Sequence, residues 1–91
     1  MLSRLTILLL LSITFSCSNK ELIKPGEPID SAYEKSITFY EKEEYSDAAY
    51  GFDLVTRMGR GTSYAKEAQF LLAESYFKNK QYLLAASEYE R

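Results

Sequence analysis

The stretch SITFYEKEEYSDAAYGF at residues 36–52 decides the fold, because its pattern returns 37 positions later as AESYFKNKQYLLAASEY at residues 73–89. Matching pairs keep the order small, aromatic, aromatic, tyrosine, alanine, alanine, aromatic: Ser36 with Ala73, Phe39 with Tyr76, Tyr40 with Phe77, Tyr45 with Tyr82, Ala48 with Ala85, Ala49 with Ala86 and Phe52 with Tyr89. Repetition at such a period is the sequence signature of repeat architectures. We therefore interpret the chain as two copies of one structural unit.

Each copy is expected to be a helical hairpin, because apolar residues recur at helical spacing and no proline follows Pro28. The polar stretches 41–44 and 78–81 and the Gly59-Arg60-Gly61 segment should separate the helices. Ser31 and Glu34 have capping-box spacing, Ser46 or Asp47 could cap a second helix, and Thr62 or Ser63 a third. We predict an all-α fold whose last helix, after Tyr82, stops in mid-pattern and looks truncated.

Composition excludes most enzyme chemistries and makes nucleic acid an unexpected partner. The 91 residues include no histidine and one cysteine, Cys17, which excludes Cys/His zinc sites, disulfide frameworks and histidine-dependent triads. A formal net charge of −2 provides no strongly basic face for phosphates. Neither a metal site nor a cofactor is expected, and the carboxylates Glu41, Glu43 and Glu44 are interpreted as a solvated turn.

Residues 1–16 are interpreted as a signal peptide, with basic Arg4 followed by an apolar run from Leu5 to Ile13 that is too short to span a membrane. Cleavage is expected between Ser16 and Cys17. The segment Thr14-Phe15-Ser16-Cys17 resembles a bacterial lipobox, although Thr14 and Phe15 depart from the usual residues. Cys17 would carry the lipid, the alternative being a secreted protein without lipid. Residues 17–29, which contain Pro25, Gly26 and Pro28, are predicted to be the lipidated N-terminus and a tether.

The repeated pattern resembles the tetratricopeptide repeat, whose usual period is about 34 residues. The longer period here fits a longer connection at residues 59–63, and Arg60 stands where a proline usually closes that repeat. Residues 30–62 are the first repeat and residues 63–91 a truncated second one. The alternative is an unrelated all-α bundle.

A lipobox, a short tether and repeats close to the anchor are also the layout of the BamD family of outer-membrane β-barrel assembly lipoproteins. Residues 61–77, GTSYAKEAQFLLAESYF, and residues 81–86, QYLLAA, are similar to the second repeat of that family. The resemblance covers about two of roughly five repeats, and implies a non-catalytic subunit that helps fold and insert β-barrel proteins. Its implied partners are the barrel-forming assembly subunit and unfolded outer-membrane protein substrates. Ser18 after Cys17 favours outer-membrane placement, lipid-anchored and facing the periplasm.

In hairpins of this type the first helix of each pair lines a concave face. The residues expected there form a candidate peptide groove of aromatic, aliphatic and acidic side chains: Tyr33, Ile37, Tyr40, Phe70, Glu74 and Phe77. Aromatic rings provide large contact area at low entropic cost, although they could also belong partly to the core. Two other functions remain open, namely a generic periplasmic repeat adaptor of the cell envelope and the tethered N-terminal part of an envelope enzyme.

Overall fold

The computed structural model describes residues 22–24 and 26–91, and its regular structure there is entirely helical. The helices are α1 (Ile29–Glu41), α2 (Tyr45–Met58), α3 (Ser63–Lys78) and α4 (Tyr82–Tyr89). The described residues contain no strand, so the predicted all-α class is confirmed. The predicted signal peptide, its cleavage position and lipid attachment at Cys17 lie outside the described residues.

The helices pack in chain order, α1 against α2, α2 against α3 and α3 against α4, with a smaller contact between α1 and α3. Three residues, 42–44, join α1 to α2, and three, 79–81, join α3 to α4. Connections this short make the joined helices antiparallel neighbours. Two hairpins, α1–α2 and α3–α4, therefore follow one another, and α3 contacts both helices of the first hairpin.

The turns within the two hairpins have the same backbone geometry. Glu43 and Lys80, 37 positions apart, both adopt left-handed conformations, with φ of 62° and 63°. Each donates its backbone N–H over 3.0 Å to an aromatic residue three positions earlier, Tyr40 and Phe77 respectively. The next residue of each turn also donates its backbone N–H over 2.8 Å to a carbonyl five positions earlier, Glu44 to Phe39 and Gln81 to Tyr76. The internal repeat of the sequence is thus also a repeat of backbone conformation.

Small buried side chains line the seam within each hairpin. Ser36 and Ala48 in the first hairpin, and Ala73 and Ala85 in the second, are all buried. The Ser36 hydroxyl donates a 2.7 Å hydrogen bond to the Ala32 carbonyl, which satisfies its polar atom inside the core. Because these side chains take little space, large ones such as Phe52 fill the gaps beside the seam.

The predicted capping box at Ser31 is wrong, because α1 begins at Ile29 with Pro28 in the N-cap position. Ser31 donates its hydroxyl over 2.9 Å to Glu27 instead, and Lys35 makes a 2.9 Å ion pair with the same carboxylate. The hydrogen bond from Lys35 is the main reason that the pKa of the Glu27 carboxyl lies below its usual value. The Glu27 carboxylate, which precedes α1, therefore binds the Ser31 hydroxyl that the sequence predicted to cap the helix.

The other predicted caps also differ. Glu44, not Ser46 or Asp47, stands at the N-cap of α2, and it makes no side-chain capping bond. Thr62 does occupy the N-cap position of α3, but its hydroxyl donates 2.5 Å to the Gly59 carbonyl. This hydrogen bond stabilises the turn between the hairpins, and the Thr62 hydroxyl does not cap the first backbone amides of α3.

Ile23, in the segment expected to be a tether, packs against the first hairpin and is only 7 % exposed. Its side chain lies over Gly51, where a Cβ atom would come within 2.4 Å of the Ile23 Cδ1 atom and 2.0 Å of the Ser36 Oγ atom. At the equivalent positions the second hairpin has Glu88 in place of Gly51 and Ala73 in place of Ser36. Gly51 thus makes room for both Ser36 and Ile23.

Replacing Gly51 by alanine should lower the free energy of unfolding by about 1–3 kcal/mol, the usual effect of overpacking a filled core. The same replacement in a Ser36→Ala background, which reproduces the small residue of the second hairpin, should cost less because the closest clash is gone. Thermal and denaturant unfolding of the four members of this mutant cycle measures the coupling. Equal costs in both backgrounds would show that Ser36 and Gly51 do not meet.

Candidate functional site

The six predicted groove residues occupy matching positions on two helices. Tyr33, Ile37 and Tyr40 follow one face of α1, and Phe70, Glu74 and Phe77 follow the equivalent face of α3 at the same spacing. The two sets have different surroundings, since α3 packs against the first hairpin whereas the face of the second hairpin carries several large exposed side chains.

Tyr33 is half-buried among rings of α2 and α3. Its ring centroid lies 6.1 Å from that of Phe52 and 5.2 Å from that of Tyr64. Its hydroxyl donates a 2.6 Å hydrogen bond to the Glu67 carboxylate on α3. The residue therefore joins the two hairpins.

Tyr40 lies in a second aromatic cluster near the turn of the first hairpin. Its centroid lies 5.5 Å from that of Tyr45 and 6.4 Å from that of Phe52. The Lys78 ammonium, at the end of α3, lies 5.3 Å from the Tyr40 centroid and 5.8 Å from the Tyr45 centroid. Such cation–π contacts contribute about 0.5–1 kcal/mol at exposed sites. Together with half-buried Ile37, this face of α1 mainly provides packing between helices.

Phe70 and Phe77, by contrast, are 58 % and 52 % exposed. Their rings contact α4, at 6.2 Å from the Tyr89 centroid for Phe70 and 5.3 Å from the Tyr82 centroid for Phe77. Glu74, between them, accepts a hydrogen bond from the Tyr89 hydroxyl. We call the surface formed by Phe70, Phe77, Tyr82 and Tyr89 the α3–α4 aromatic face.

The ring pairs of this face repeat those of the first hairpin. Phe70 and Tyr89 correspond to Tyr33 and Phe52, with centroid distances of 6.2 and 6.1 Å. Phe77 and Tyr82 correspond to Tyr40 and Tyr45, at 5.3 and 5.5 Å. The two hairpins therefore share the geometry of their ring pairs but differ in how far the rings are exposed to solvent.

Tyr82 and Tyr89 were not among the predicted groove residues, because that prediction took residues only from the first helix of each hairpin. On the first hairpin the equivalent rings are contacted by α3, so the exposure of Tyr82 and Tyr89 depends on neighbours in the fold and not on local sequence.

Two shallow hollows border Phe70. One, of about 400 Å³, is lined by Lys66, Glu67, Phe70 and Leu71 and is almost wholly apolar. The other, of about 530 Å³, lies between α3 and α4 and includes Arg60, Gln69, Glu88 and Tyr89 among its lining residues. In this second hollow the Gln69 amide donates to the Glu88 carboxylate, so α3 and α4 also share a polar contact. Phe70 therefore lines both hollows.

Within residues 22–24 and 26–91, no group of three or more acidic or cysteine residues is arranged to hold a metal ion. In the same part of the chain, no helix combines the length and apolar character needed to cross a membrane. The surface around Phe70 offers aromatic and apolar contact area, with Glu74 and Lys66 as nearby charges.

Comparison of the chain with models of known protein families, with curated proteins and with solved structures gives no match.

Two tyrosine hydroxyls are held in the neutral form. Partial burial, followed by the hydrogen bond to Glu67, raises the pKa of Tyr33 to about 12. For Tyr89 the hydrogen bond to Glu74 is the main cause, and it also raises the pKa to about 12. Because the folded pKa exceeds the ordinary value near 10, the folded state binds these protons more tightly than the unfolded state. Their contribution to stability is therefore complete below about pH 10 and is lost as the pH rises toward about 12.

Absorbance titration of tyrosinate in the folded protein should show Tyr33 and Tyr89 titrating late, together with Tyr76, whose pKa is raised chiefly by burial. Tyr33→Phe should remove one late component. Glu67→Gln should bring the pKa of Tyr33 part of the way back toward its ordinary value, because burial remains when the carboxylate is gone. Glu74→Gln should do the same for Tyr89 and leave Tyr33 unchanged. A titration in which Glu67→Gln leaves the late component unaltered would contradict the Tyr33–Glu67 contact.

Proposed function

We propose that the chain is a non-catalytic lipoprotein subunit of the outer-membrane protein assembly machinery, similar to the BamD family. It would act by binding the barrel-forming subunit and segments of unfolded barrel substrates, from a lipid anchor facing the periplasm. The observation that carries the proposal is the repeated aromatic hairpin whose second copy presents four large rings to solvent: Phe70, Phe77, Tyr82 and Tyr89.

A surface of this kind suits recognition of other proteins. Aromatic side chains bury large areas and lose little rotamer entropy, so they are frequent anchors of interfaces. Phe70 and Phe77, on either side of Glu74, are the accessible members of the predicted groove, while Tyr33 and Tyr40 hold α1 against the neighbouring helices. We assign partner contact chiefly to Phe70, Glu74 and Phe77.

Two repeats of the tetratricopeptide type are also part of this proposal. The matching turns at Glu43 and Lys80, and the matching ring pairs, support two equivalent hairpins stacked in series. Repeat proteins of this kind build elongated binding surfaces from units that contact only their neighbours. A periplasmic repeat adaptor with a different partner would share these features, so identification of the partner discriminates between the two functions.

Replacing Cys17 by alanine should move the protein out of the membrane fraction while leaving its fold unchanged. Several acyl chains on this residue would provide a lasting anchor, since each buried methylene contributes about 0.8 kcal/mol. Fractionation of envelopes, with circular dichroism as the control for folding, measures the outcome. Membrane retention of Cys17→Ala equal to that of the wild type would disprove the lipid anchor.

Affinity purification of the tagged protein from gently solubilised envelopes should recover the barrel-forming assembly subunit, identified by mass spectrometry. An unrelated tagged lipoprotein expressed at the same level controls for general envelope contamination. Recovery of other envelope proteins without that subunit would withdraw the assembly function and favour the adaptor. Recovery of neither, from a protein shown to be folded, would also contradict the assembly function.

A further inference from the structure

The segment before α1 is fixed to the first hairpin at two separate points. The first is Ile23, whose side chain is buried and fills the space over Gly51. The second is Glu27, whose side chain is only 10 % exposed and binds residues of α1. Leu22 and Lys24, on either side of Ile23, are exposed. Of these three neighbours, Ile23 alone therefore turns toward the hairpin.

The contact of Ile23 lies near the middle of the hairpin. A Cβ atom at Gly51 would come within 2.0 Å of the Ser36 Oγ atom and 2.4 Å of the Ile23 Cδ1 atom, so the three residues meet at one level. Ser36 lies near the middle of α1, which spans Ile29–Glu41. The segment therefore runs from the middle of the hairpin back to its open end, where α1 begins.

A tight turn connects the two points of attachment. The Glu27 backbone N–H donates over 3.1 Å to the Lys24 carbonyl, which closes a four-residue turn. Gly26, the third residue of this turn, has a φ of 83°. The order Pro25-Gly26 in the sequence is typical of a type II turn, whose third residue needs a positive φ. The glycine thus allows the chain to reverse and to present Glu27 to α1.

Three donors surround the Glu27 carboxylate. They are the backbone N–H of Lys24 at 3.3 Å, the Ser31 hydroxyl at 2.9 Å and the Lys35 ammonium at 2.9 Å. Hydrogen bonds to an ionised group are stronger than those between neutral groups, and low exposure reduces screening by salt. We define the clasp as two contacts, that of Ile23 with Gly51 and that of Glu27 with Ser31 and Lys35.

We propose that the clasp couples the first hairpin to the lipid anchor on Cys17 and holds the hairpin close to the membrane surface. The inference rests on the lipid anchor of the proposed function. Twelve residues separate Cys17 from Ile29, and this length of chain reaches at most about 40 Å. Six residues separate Cys17 from Ile23, which reaches at most about 20 Å. A closed clasp therefore halves the distance that the hairpin can move from its anchor.

The clasp also restricts orientation. A single connection at the start of α1 would leave the hairpin free to rotate about that point. Attachment at both Ile23 and Glu27, one at the middle and one at the open end, removes much of this freedom. A shorter and stiffer connection raises the effective concentration of the hairpins near other components of the same membrane. The segment would thus position the binding surfaces and not only retain them.

The test measures the distance between the first hairpin and the bilayer. The lipidated protein is purified from envelopes and placed in phospholipid nanodiscs that contain acceptor-labelled headgroups. A donor dye is attached at Lys42→Cys, in the turn after α1, or at Arg60→Cys, beyond the end of α2, both of which are exposed. Maleimide dyes react only at these positions, because lipid occupies the sulfur of Cys17, the only natural cysteine. Energy transfer should give short, narrowly distributed distances from both ends of the hairpin.

Two variants open the clasp from opposite sides. Ile23→Ser/Glu27→Gln removes both contacts from the segment, and the mean distance should rise by up to about 20 Å, the length of chain released. Gly51→Ala/Ser36→Ala instead fills the space that Ile23 occupies and leaves the segment unchanged. Its distance should rise by less, because Glu27 remains bound. Both variants should give wider distance distributions than the protein with an intact clasp.

The matched control is Leu22→Ser/Glu34→Gln, which makes the same kinds of change at exposed positions next to the clasp. It should leave the distances unchanged. Circular dichroism and thermal unfolding establish that each variant is folded at the temperature of the measurement. If Ile23→Ser/Glu27→Gln unfolds, Gly51→Ala/Ser36→Ala still tests the proposal, since it alters neither residue of the segment.

Three results would overturn the proposal. Equal distances with the clasp intact and opened would show that the clasp does not set the reach, although the lipid anchor would stand. An increase as large in Leu22→Ser/Glu34→Gln would show that the effect is not specific to Ile23 and Glu27. Loss of the unaltered protein from the nanodiscs, recorded before any distance is measured, would withdraw the lipid anchor and the coupling with it.

Discussion

The close approach of the two helices within each hairpin is the constraint on which the remaining contacts depend. Ser36 and Ala48 in one seam, and Ala73 and Ala85 in the other, keep the helices near enough for rings beside the seam to meet. Beside the first seam, the ring centroids of Tyr33 on α1 and Phe52 on α2 lie 6.1 Å apart. Large residues in the seam would move the helices apart and remove the surface on which α3 packs.

The two copies of the hairpin have different surroundings because they have different neighbours. In the first copy, Ile23 covers the seam at Gly51 and α3 covers the aromatic rings, so the hairpin is enclosed. In the second copy, Glu88 replaces the glycine and the rings face solvent. Exposing several large rings together is unfavourable in water, and contiguous apolar surface of this kind usually marks an interaction site. The exposure of the rings, which distinguishes the second hairpin from the first, therefore indicates an interaction site more clearly than the features that the two hairpins share.

Much of this architecture could be predicted from the sequence, since helical periodicity and the 37-residue repeat are strong local signals. They gave the all-α class, four helices and the polar turns. The caps could not be predicted, because Ser31 had a competing partner in Glu27 that only the fold brings within reach. Burial of Ile23 was not predicted for a related reason. Its side chain occupies the space left free because Gly51 has no side chain, and only the fold brings the two residues together.

The six residues predicted to form a groove occupy equivalent positions on α1 and α3, but the sequence did not predict how differently they are exposed. Spacing correctly placed Tyr33, Tyr40, Phe70 and Phe77 at equivalent positions, but spacing alone does not say which of them a later helix covers. Exposure depends on the neighbour: Tyr33 gains an acceptor in Glu67 and a ring contact with Tyr64, whereas Phe70 has Tyr89 and open hollows on its other sides. The exposure of a side chain in a repeated unit is in this sense set by the neighbouring unit. Ile23 packs on the first hairpin and Glu27 binds Ser31 of α1, whereas the large exposed rings Phe70 and Phe77 lie on the second hairpin.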